Sequence, residues 1–452
     1  MRSAGQGEEG LDAEARPVPH PSAAAGREAS LGCRVAVLAD TDSRWKWGML
    51  TARRLGPARI DKYLLENPAP PSVRQFQAAG VDPDEVATLT LAELAGALGE
   101  APPDVLVLSL PGGACQAALH ALVAGWPPAL RRPVVVTGYV GVVYEKVGEG
   151  LLLRAGADVV LANSADDADS FRGQLLAAGG DPSTVVETTL PFLRDLDPAP
   201  AASRPFTVTF AGQPGVPVTR WERAYLVDRL ARHARLHPER LVTVKLRSVP
   251  GERVTHPEPY PYPDLLRKLP DRPANLQTVV GDMGEALRRT DLLVTVSSTA
   301  ALEAMHAGVA TVLLTDFGIR ESLGNSYFAG SGCLGSFDDI DEGFAPRADP
   351  EWTRRHGVGG AGPDHLVERV RLLLGRELPP LEPYYTLRRS PAYLPHLLRA
   401  YGLAPDGQPL DPDLAHGQVR RLVRGAIRGT ARTMYQSGVA VVAPALRKLG
   451  AL

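Results

Sequence analysis

Two rounds of strand–helix alternation, separated by a stretch that suits neither, constrain this chain more than any other feature. In the first round, short apolar runs end at polar loops: Arg34-Val-Ala-Val-Leu-Ala-Asp40, Asp104-Val-Leu-Val-Leu-Ser109, Pro133-Val-Val-Val-Thr137 and Asp158-Val-Val-Leu-Ala162. Runs of that length, apolar on both faces, read as buried parallel strands. Segments of helical spacing lie between them, at Leu91–Leu98, Ala114–Ala124 and Asp167–Ala178. The alternation predicts a parallel sheet covered on both faces. It breaks at Arg194–Pro205 (RDLDPAPAASRP), where Pro, Ala and Asp without periodicity mark a linker. It then restarts with strands at Phe206–Phe210, Leu241–Lys245, Asp291–Thr295 and Thr311–Thr315, and helices at Glu222–Leu236 and Ala300–Ala307.

The expected fold is therefore α/β: two Rossmann-like domains facing each other across a cleft. The boundaries read as a disordered tail over 1–31, a first domain over 32–193, the linker over 194–205, a second domain over 206–385 and an extension over 386–452. A chain of 452 residues has room for two such cores. Its net charge of −2 gives no polyanion-seeking field, which argues against generic nucleic-acid binding. Cys33, Cys115 and Cys333 are far apart and lack metal-ligand spacing, so neither a disulfide framework nor structural zinc is expected. The first thirty residues carry acidic groups and no apolar segment, and no run of eighteen apolar residues occurs anywhere. The expectation is a cytoplasmic protein. The stretch Gln418–Met434 places Val419, Leu422, Val423, Ile427, Ala431 and Met434 near helical spacing, with arginines between them. A basic amphipathic helix of that kind can lie on the inner face of the plasma membrane; the plainer alternative is a helix packed on the body.

The most informative stretch is Asp291-Leu-Leu-Val-Thr-Val-Ser-Ser-Thr-Ala-Ala-Leu-Glu-Ala-Met-His306. An apolar strand runs into Ser297-Ser298-Thr299, and a helix starts at once. Hydroxyls and free N–H groups at a helix start suit an anion, and ligands of open α/β sheets bind beyond the carboxyl ends of strands. Glu303 lies four residues past Thr299, on the same face, where a carboxylate can accept both hydroxyl protons of a ribose. Lys245 and Arg247 close a neighbouring strand and bring cations to where a diphosphate would lie. Gly281, between Val280 and Asp282, ends another strand where backbone groups can hold a base.

The first domain is left with the acceptor and the catalytic base. Asp40-Thr-Asp-Ser-Arg-Trp-Lys-Trp-Gly48 follows the first strand. Asp40 or Asp42 can take an acceptor proton. Arg44 and Lys46 bring cations, while Trp45 and Trp47 either stack on a sugar or anchor a helix. Gly112 and Gly113 open another strand-to-helix turn, leaving either ligand approach or a tight turn. Tyr139 and Glu145, in Gly138-Tyr-Val-Gly-Val-Val-Tyr-Glu145, read as acceptor-side residues, with Glu145 a second base candidate. No metal site is expected: Asp40-Thr-Asp42 spells DxD, yet it follows the first strand, and cations can hold a diphosphate without a metal.

The stretch around Ser297–Glu303 resembles the nucleotide-binding half of GT-B glycosyltransferases, in which a Ser/Thr-rich strand-to-helix turn precedes a ribose-binding Glu. More widely, from about Arg34 to Ile340, the chain resembles an actinobacterial family of glycosyltransferases of unsettled specificity. The markers are Ala39-Asp-Thr-Asp-Ser-Arg-Trp-Lys-Trp-Gly48, Gly138-Tyr-Val-Gly141 and Asn325-Ser-Tyr-Phe328. It is more distantly similar to bacterial capsule and polysialic-acid type transferases. The resemblance implies a GT-B enzyme that moves a sugar from a nucleotide donor, with phosphate contacts on Ser297, Ser298 and Thr299 and a ribose contact on Glu303. It implies no cofactor beyond the nucleotide sugar as substrate, and a role in cell-surface glycan or glycolipid biosynthesis with the acceptor left open among a glycan, a lipid-linked and a small molecule.

A dehydrogenase would carry GxGxxG at the first turn, where Asp40-Thr-Asp-Ser-Arg44 stands. Neither a P-loop nor GxSxG occurs. Two rivals remain: a sugar-nucleotide epimerase or alditol-phosphate transferase on the same scaffold, and a non-catalytic nucleotide- or sugar-binding protein.

Overall fold

The computed structural model describes residues 30–67, 70–142, 147–195, 204–246, 258, 260–358 and 365–410. The expectations placed on residues 1–29, Glu145, Arg247, most of the linker and the basic stretch 418–434 lie outside the described residues.

Seven parallel strands form the first sheet: β1 (Arg34–Ala39), β2 (Arg59–Leu65), β3 (Val86–Leu89), β4 (Val105–Ser109), β5 (Val134–Gly138), β6 (Val159–Ala162) and β7 (Val185–Glu187), in the order β3-β2-β1-β4-β5-β6-β7. Six form the second: β8 (Thr207–Ala211), β9 (Leu241–Lys245), β10 (Leu276–Val279), β11 (Leu292–Thr295), β12 (Ala310–Leu314) and β13 (Leu334–Gly335), in the order β10-β9-β8-β11-β12-β13. Both are the two-domain α/β arrangement the alternation predicts. β1 shows why its residues make a central strand. Val35, Val37 and Ala39 point into one apolar layer and Ala36 and Leu38 into the other, so both faces leave water. At about 25 cal/mol per Å² of apolar surface, such a strand has no alternative environment of equal free energy.

In each sheet the chain reverses its direction of travel once, between β1 and β4 and between β8 and β11. Ligand crevices of open sheets form at these points. The pairing Ala39↔Ser109 sets Asp40 beside the loop Leu110–Gly113, and Thr295↔Ala211 sets Ser297 beside Gln213.

The C-terminal part departs from the expected boundaries. Helix Leu366–Leu374, placed by the sequence in the second domain, buries Leu366, Val370 and Leu373 in the core of the first. Leu381, Leu394, Leu398 and Leu403 then pack on the opposite layer of the first domain. The returning segment is fastened along helix Gly112–Gly125: Gln116 Nε2 donates to Tyr385 O at 3.4 Å, His120 Nε2 lies 2.9 Å from the same carbonyl, and Gln408 Nε2 donates to Ala124 O at 2.7 Å. No helix among the described residues is long and apolar enough to cross a membrane.

Candidate active site in the interdomain cleft

The carboxyl ends of the two sheets face each other. Lys46 Nζ of the first domain lies 3.2 Å from Asp282 Oδ2 of the second. A Cβ at Gly141 would lie 2.9 Å from Thr299 Oγ1, so the loop after β5 meets the turn after β11. Asn163 Nδ2 holds that loop by donating to the carbonyls of Tyr139 and Gly141, at 3.0 and 3.3 Å.

On the second-domain side, the serine–threonine turn differs from its sequence reading. Ser297 is buried: its N–H donates to Gln213 Oε1 at 3.1 Å, and its hydroxyl reaches Leu323 O at 2.5 Å. The Ser297 hydroxyl therefore braces the scaffold. Ser298 Oγ accepts from Ala300 N at 3.2 Å, while Ala301 N and Leu302 N donate to the carbonyls of Ser298 and Thr299. The N–H groups of Ala300, Ala301 and Leu302, expected free for an anion, are thus used within the turn. Thr299 makes no side-chain cap. What this turn keeps toward the cleft is the half-buried pair Ser298 and Thr299.

One turn on, Glu303 is half-buried and meets three other charges. Burial pushes its carboxyl up to about 7, Lys46 and Lys245 oppose that rise, and Asp282 adds to it. Lys245 ends β9 and is buried, its ammonium donating to Leu246 O at 2.9 Å. Burial lowers its pKa, with Asp282 and Glu303 opposing and Arg74 and Lys46 adding to the fall. Asp282 caps helix Met283–Leu287 through Gly284 N (2.8 Å) and Glu285 N (3.4 Å). Burial pushes this carboxyl up, yet Lys46 and the two N–H groups outweigh it and its pKa falls. Gly281, just before it, has φ +119°, a backbone region that excludes a side chain, and is exposed at the rim. Arg247 lies outside the described residues.

On the first-domain side, Asp40 follows β1 and pairs with Arg44, whose Nη1 lies 3.0 and 3.2 Å from the two carboxylate oxygens. Asn67 Nδ2 fixes the backbone by donating to Asp40 O at 2.9 Å. Asp42 opens helix Asp42–Arg54, where a carboxylate complements the helix dipole. Several other expectations on this side need correction. Trp45 and Trp47 are wholly buried. Trp45 meets Phe76 edge-on at 5.7 Å between centroids, and a Cβ at Gly138 would lie 2.9 Å from Trp47 Cζ2. They are core anchors, because their helix is packed between the sheet and helix Val73–Ala78 instead of lying on the surface. Lys46, expected on the acceptor side, points across the cleft to Asp282 and Glu303. The bare backbone of Gly112 and Gly113 admits protein: a Cβ at Gly112 would lie 2.9 Å from Leu153, and one at Gly113 would lie 3.1 Å from Leu397. Tyr139 lies under the Arg154 guanidinium at 4.1 Å and its hydroxyl donates to Val147 O, while burial pushes its phenol up to about 12.

Because Lys46 and Asp282 are both partly exposed, their pair contributes well below about 1 kcal/mol to stability. Lys46→Met should leave the thermal midpoint within about 2 °C of wild type in low salt, and salt should erase even that difference. A larger drop in calorimetry would show that the two domains depend on this contact.

A family model described as "Putative glycosyltransferase (DUF6716)" matches residues 35–373. The chain belongs to this family. Among solved structures, this DUF6716 member is similar to the UDP-GlcNAc 2-epimerase of Methanocaldococcus jannaschii in complex with UDP-GlcNAc and UDP, at 14% identity and TM-score 0.51, over 76% of this chain and 100% of that one. It is also similar to MnaA of S. aureus with UDP (12% identity, TM-score 0.48, 75% and 95% of the two chains) and to the spinosyn forosaminyltransferase SpnP (16%, 0.42, 76% and 100%). At these identities the likeness is one of fold. No curated protein matches the chain.

Three site residues of this DUF6716 protein escape a sequence reading. Gln213 accepts from Ser297 through Oε1, and its amide nitrogen makes no hydrogen bond among the described residues. Asp282 joins the cleft through Lys46, a residue 236 positions away. Tyr401 arrives from the returning C-terminal segment. Each comes into place through a contact distant in sequence, and no local pattern announces it.

Proposed function

We propose that this protein transfers a sugar from a nucleoside-diphosphate donor, held by the second domain, to a hydroxyl of an acceptor held by the first, without a metal. The observation that carries the reading is Glu303, a carboxylate one turn beyond Ser298 and Thr299, facing Lys46 and Lys245 in the cleft. In its ionised form it accepts hydrogen bonds from both ribose hydroxyls. The diphosphate then lies toward Ser298, Thr299, the amide nitrogen of Gln213 and the two lysines. As the glycosidic bond breaks, negative charge grows on the leaving phosphate, so these cations hold it more tightly in the transition state than in the ground state. Asp40 takes the proton of the attacking hydroxyl. Arg44 aims that carboxylate through an i,i+4 pair and leaves it able to accept. Membership in the family supports sugar transfer as the reaction class.

A thermal-shift screen of UDP, CDP, GDP, dTDP and CMP tests the donor side. One of these nucleotides should raise the midpoint in proportion to its occupancy; if none does, the donor reading fails. With the labelled sugar conjugate of that nucleotide, Asp40→Asn should lose roughly 10²–10⁴-fold in turnover while keeping nucleotide affinity within about twofold. A change in the donor sugar's configuration without any acceptor would instead identify an epimerase.

A further inference from the structure

The first-domain side of the cleft lacks the aromatic residues that Trp45 and Trp47 were expected to supply, and the returning C-terminal segment brings one. Helix Tyr393–Ala400 lies against the start of helix Gly112–Gly125, and Tyr401 caps its end. A Cβ at Gly113 would lie 3.3 Å from Tyr401 Oη and 3.8 Å from its Cε2, so the missing side chain at Gly113 makes the space the phenol occupies. Gly113 follows β4, and β4 pairs directly with β1, at whose end Asp40 stands. The hydroxyl of Ser109, at the end of β4, donates to Arg44 O at 2.7 Å and ties that strand end to the helix that follows Asp40. Tyr401 is half-buried, and its hydroxyl makes no hydrogen bond among the described residues. Arg44 uses only Nη1 toward Asp40 and Thr41. An unpartnered phenol, an arginine with donors to spare and a carboxylate therefore converge at the switch point between β1 and β4.

We propose that Tyr401 is an acceptor-binding residue, and that the C-terminal segment completes the acceptor subsite for a vicinal diol of a sugar ring. One hydroxyl of the diol donates to Asp40 and its neighbour accepts from Tyr401 Oη, while the phenol ring covers an apolar edge of the sugar. Burial, with Asp40 adding to it, pushes the Tyr401 phenol up to about 12, so it stays a hydrogen-bond donor at neutral pH and is no competitor of Asp40 as base. Arg44 opposes that rise. Tyr401 acts by orientation: it touches the acceptor and moves no proton. The inference rests on the acceptor side of the proposed transfer and is independent of where the nucleotide binds.

The test uses the full chain labelled with 13C at tyrosine Cζ, with the Tyr401 signal assigned by its loss in Tyr401→Phe. The probes are methyl glycosides of glucose, galactose, mannose and N-acetylglucosamine at up to 100 mM, with and without UDP. At least one glycoside should shift the Tyr401 signal saturably. Tyr401→Phe should weaken that glycoside at least fivefold, read on the remaining tyrosine signals, with an unchanged thermal midpoint and unchanged UDP affinity. Absence of a saturable shift at Tyr401 with all four glycosides overturns the proposal, and so does a Tyr401→Phe protein that binds as well as wild type. A purely structural tyrosine would lower the midpoint and leave glycoside affinity alone. The proposed transfer fails separately: glycoside binding at Tyr401 in a protein that no nucleotide stabilises removes the donor reading and keeps this one.

Discussion

Glu303→Gln should weaken binding of the preferred nucleoside diphosphate by about 1–3 kcal/mol at pH 8, the loss expected when hydrogen bonds to a charged group become hydrogen bonds to a neutral one. The same change should flatten the pH dependence. In the wild-type protein burial lifts the carboxyl from 4.5 to about 7. Below pH 7 it carries a proton and can no longer accept from both ribose hydroxyls, so affinity falls as the pH drops through that value. The Gln variant has nothing to titrate there. Titration calorimetry between pH 5.5 and 8.5 measures both effects, and parallel curves for the two proteins would remove Glu303 from the nucleotide site. Stability without nucleotide moves the other way. Between 4.5 and about 7 the folded protein holds a proton that the unfolded chain has released, so stability falls as pH rises through this window. Above it the ionised carboxyl costs at most about 3 kcal/mol, less what solvent screens. Glu303→Gln should therefore melt above wild type at pH 8, with the gap closing toward pH 4.5.

Arg223→Met should be the most destabilising single change in the second domain. Arg223 is wholly buried in helix Arg220–Leu236. Its Nε donates to Pro217 O at 2.8 Å, its Nη2 to Gln213 O at 2.7 Å and Pro214 O at 2.6 Å, and its Nη1 to Tyr260 O at 3.3 Å. The same Nη1 pairs with Glu258, and the guanidinium lies 4.9 Å from the Tyr262 ring. Removing it strands four carbonyls and one carboxylate in a low dielectric. Breaking a buried pair in this way costs about 3–5 kcal/mol, which for a domain of this size is roughly 6–20 °C in midpoint. Lysine should not rescue it, because an ammonium cannot reach carbonyls arrayed around a planar fork. The loop Gln213–Pro217 also presents Gln213 to Ser297, so residual folded protein should bind nucleotide more weakly than wild type. A scanning-calorimetry shift under about 2 °C would show that this arginine does not hold the loop.

The central strands were legible because they satisfy the strictest condition in the chain. β1, β4, β5, β8, β11 and β12 are buried on both faces and end at polar loops. The strands β2, β3, β7 and β13, at or next to a sheet edge, were not. β2 reads Arg-Ile-Asp-Lys-Tyr-Leu-Leu and is only half-buried, so its pattern is a compromise between sheet and solvent, and β13 is two residues long. In the site, Glu303 was legible from a four-residue spacing on one helix. The indoles were misread for the opposite reason. Trp45 and Trp47 lie two apart, so no single helix face can carry both, and only the packing of helix Val73–Ala78 and the end of β5 against their own helix buries them together. Ser297 and Ser298 look equivalent in sequence, and Gln213 makes them differ by claiming Ser297 alone.

The sequence by itself determined two α/β domains, the turn after β11 and the carboxylates after β1, because each is written in residues close together, where burial and helix geometry act over a few positions. Tertiary structure alone decided which side chains meet in the cleft. Lys46 reaches Asp282 across 236 positions, and Tyr401 comes against Gly113, at the end of the strand that pairs with the one carrying Asp40. Charge and hydrogen bonding act over a few ångströms of space whatever the distance along the chain, so only the folded arrangement can assign them.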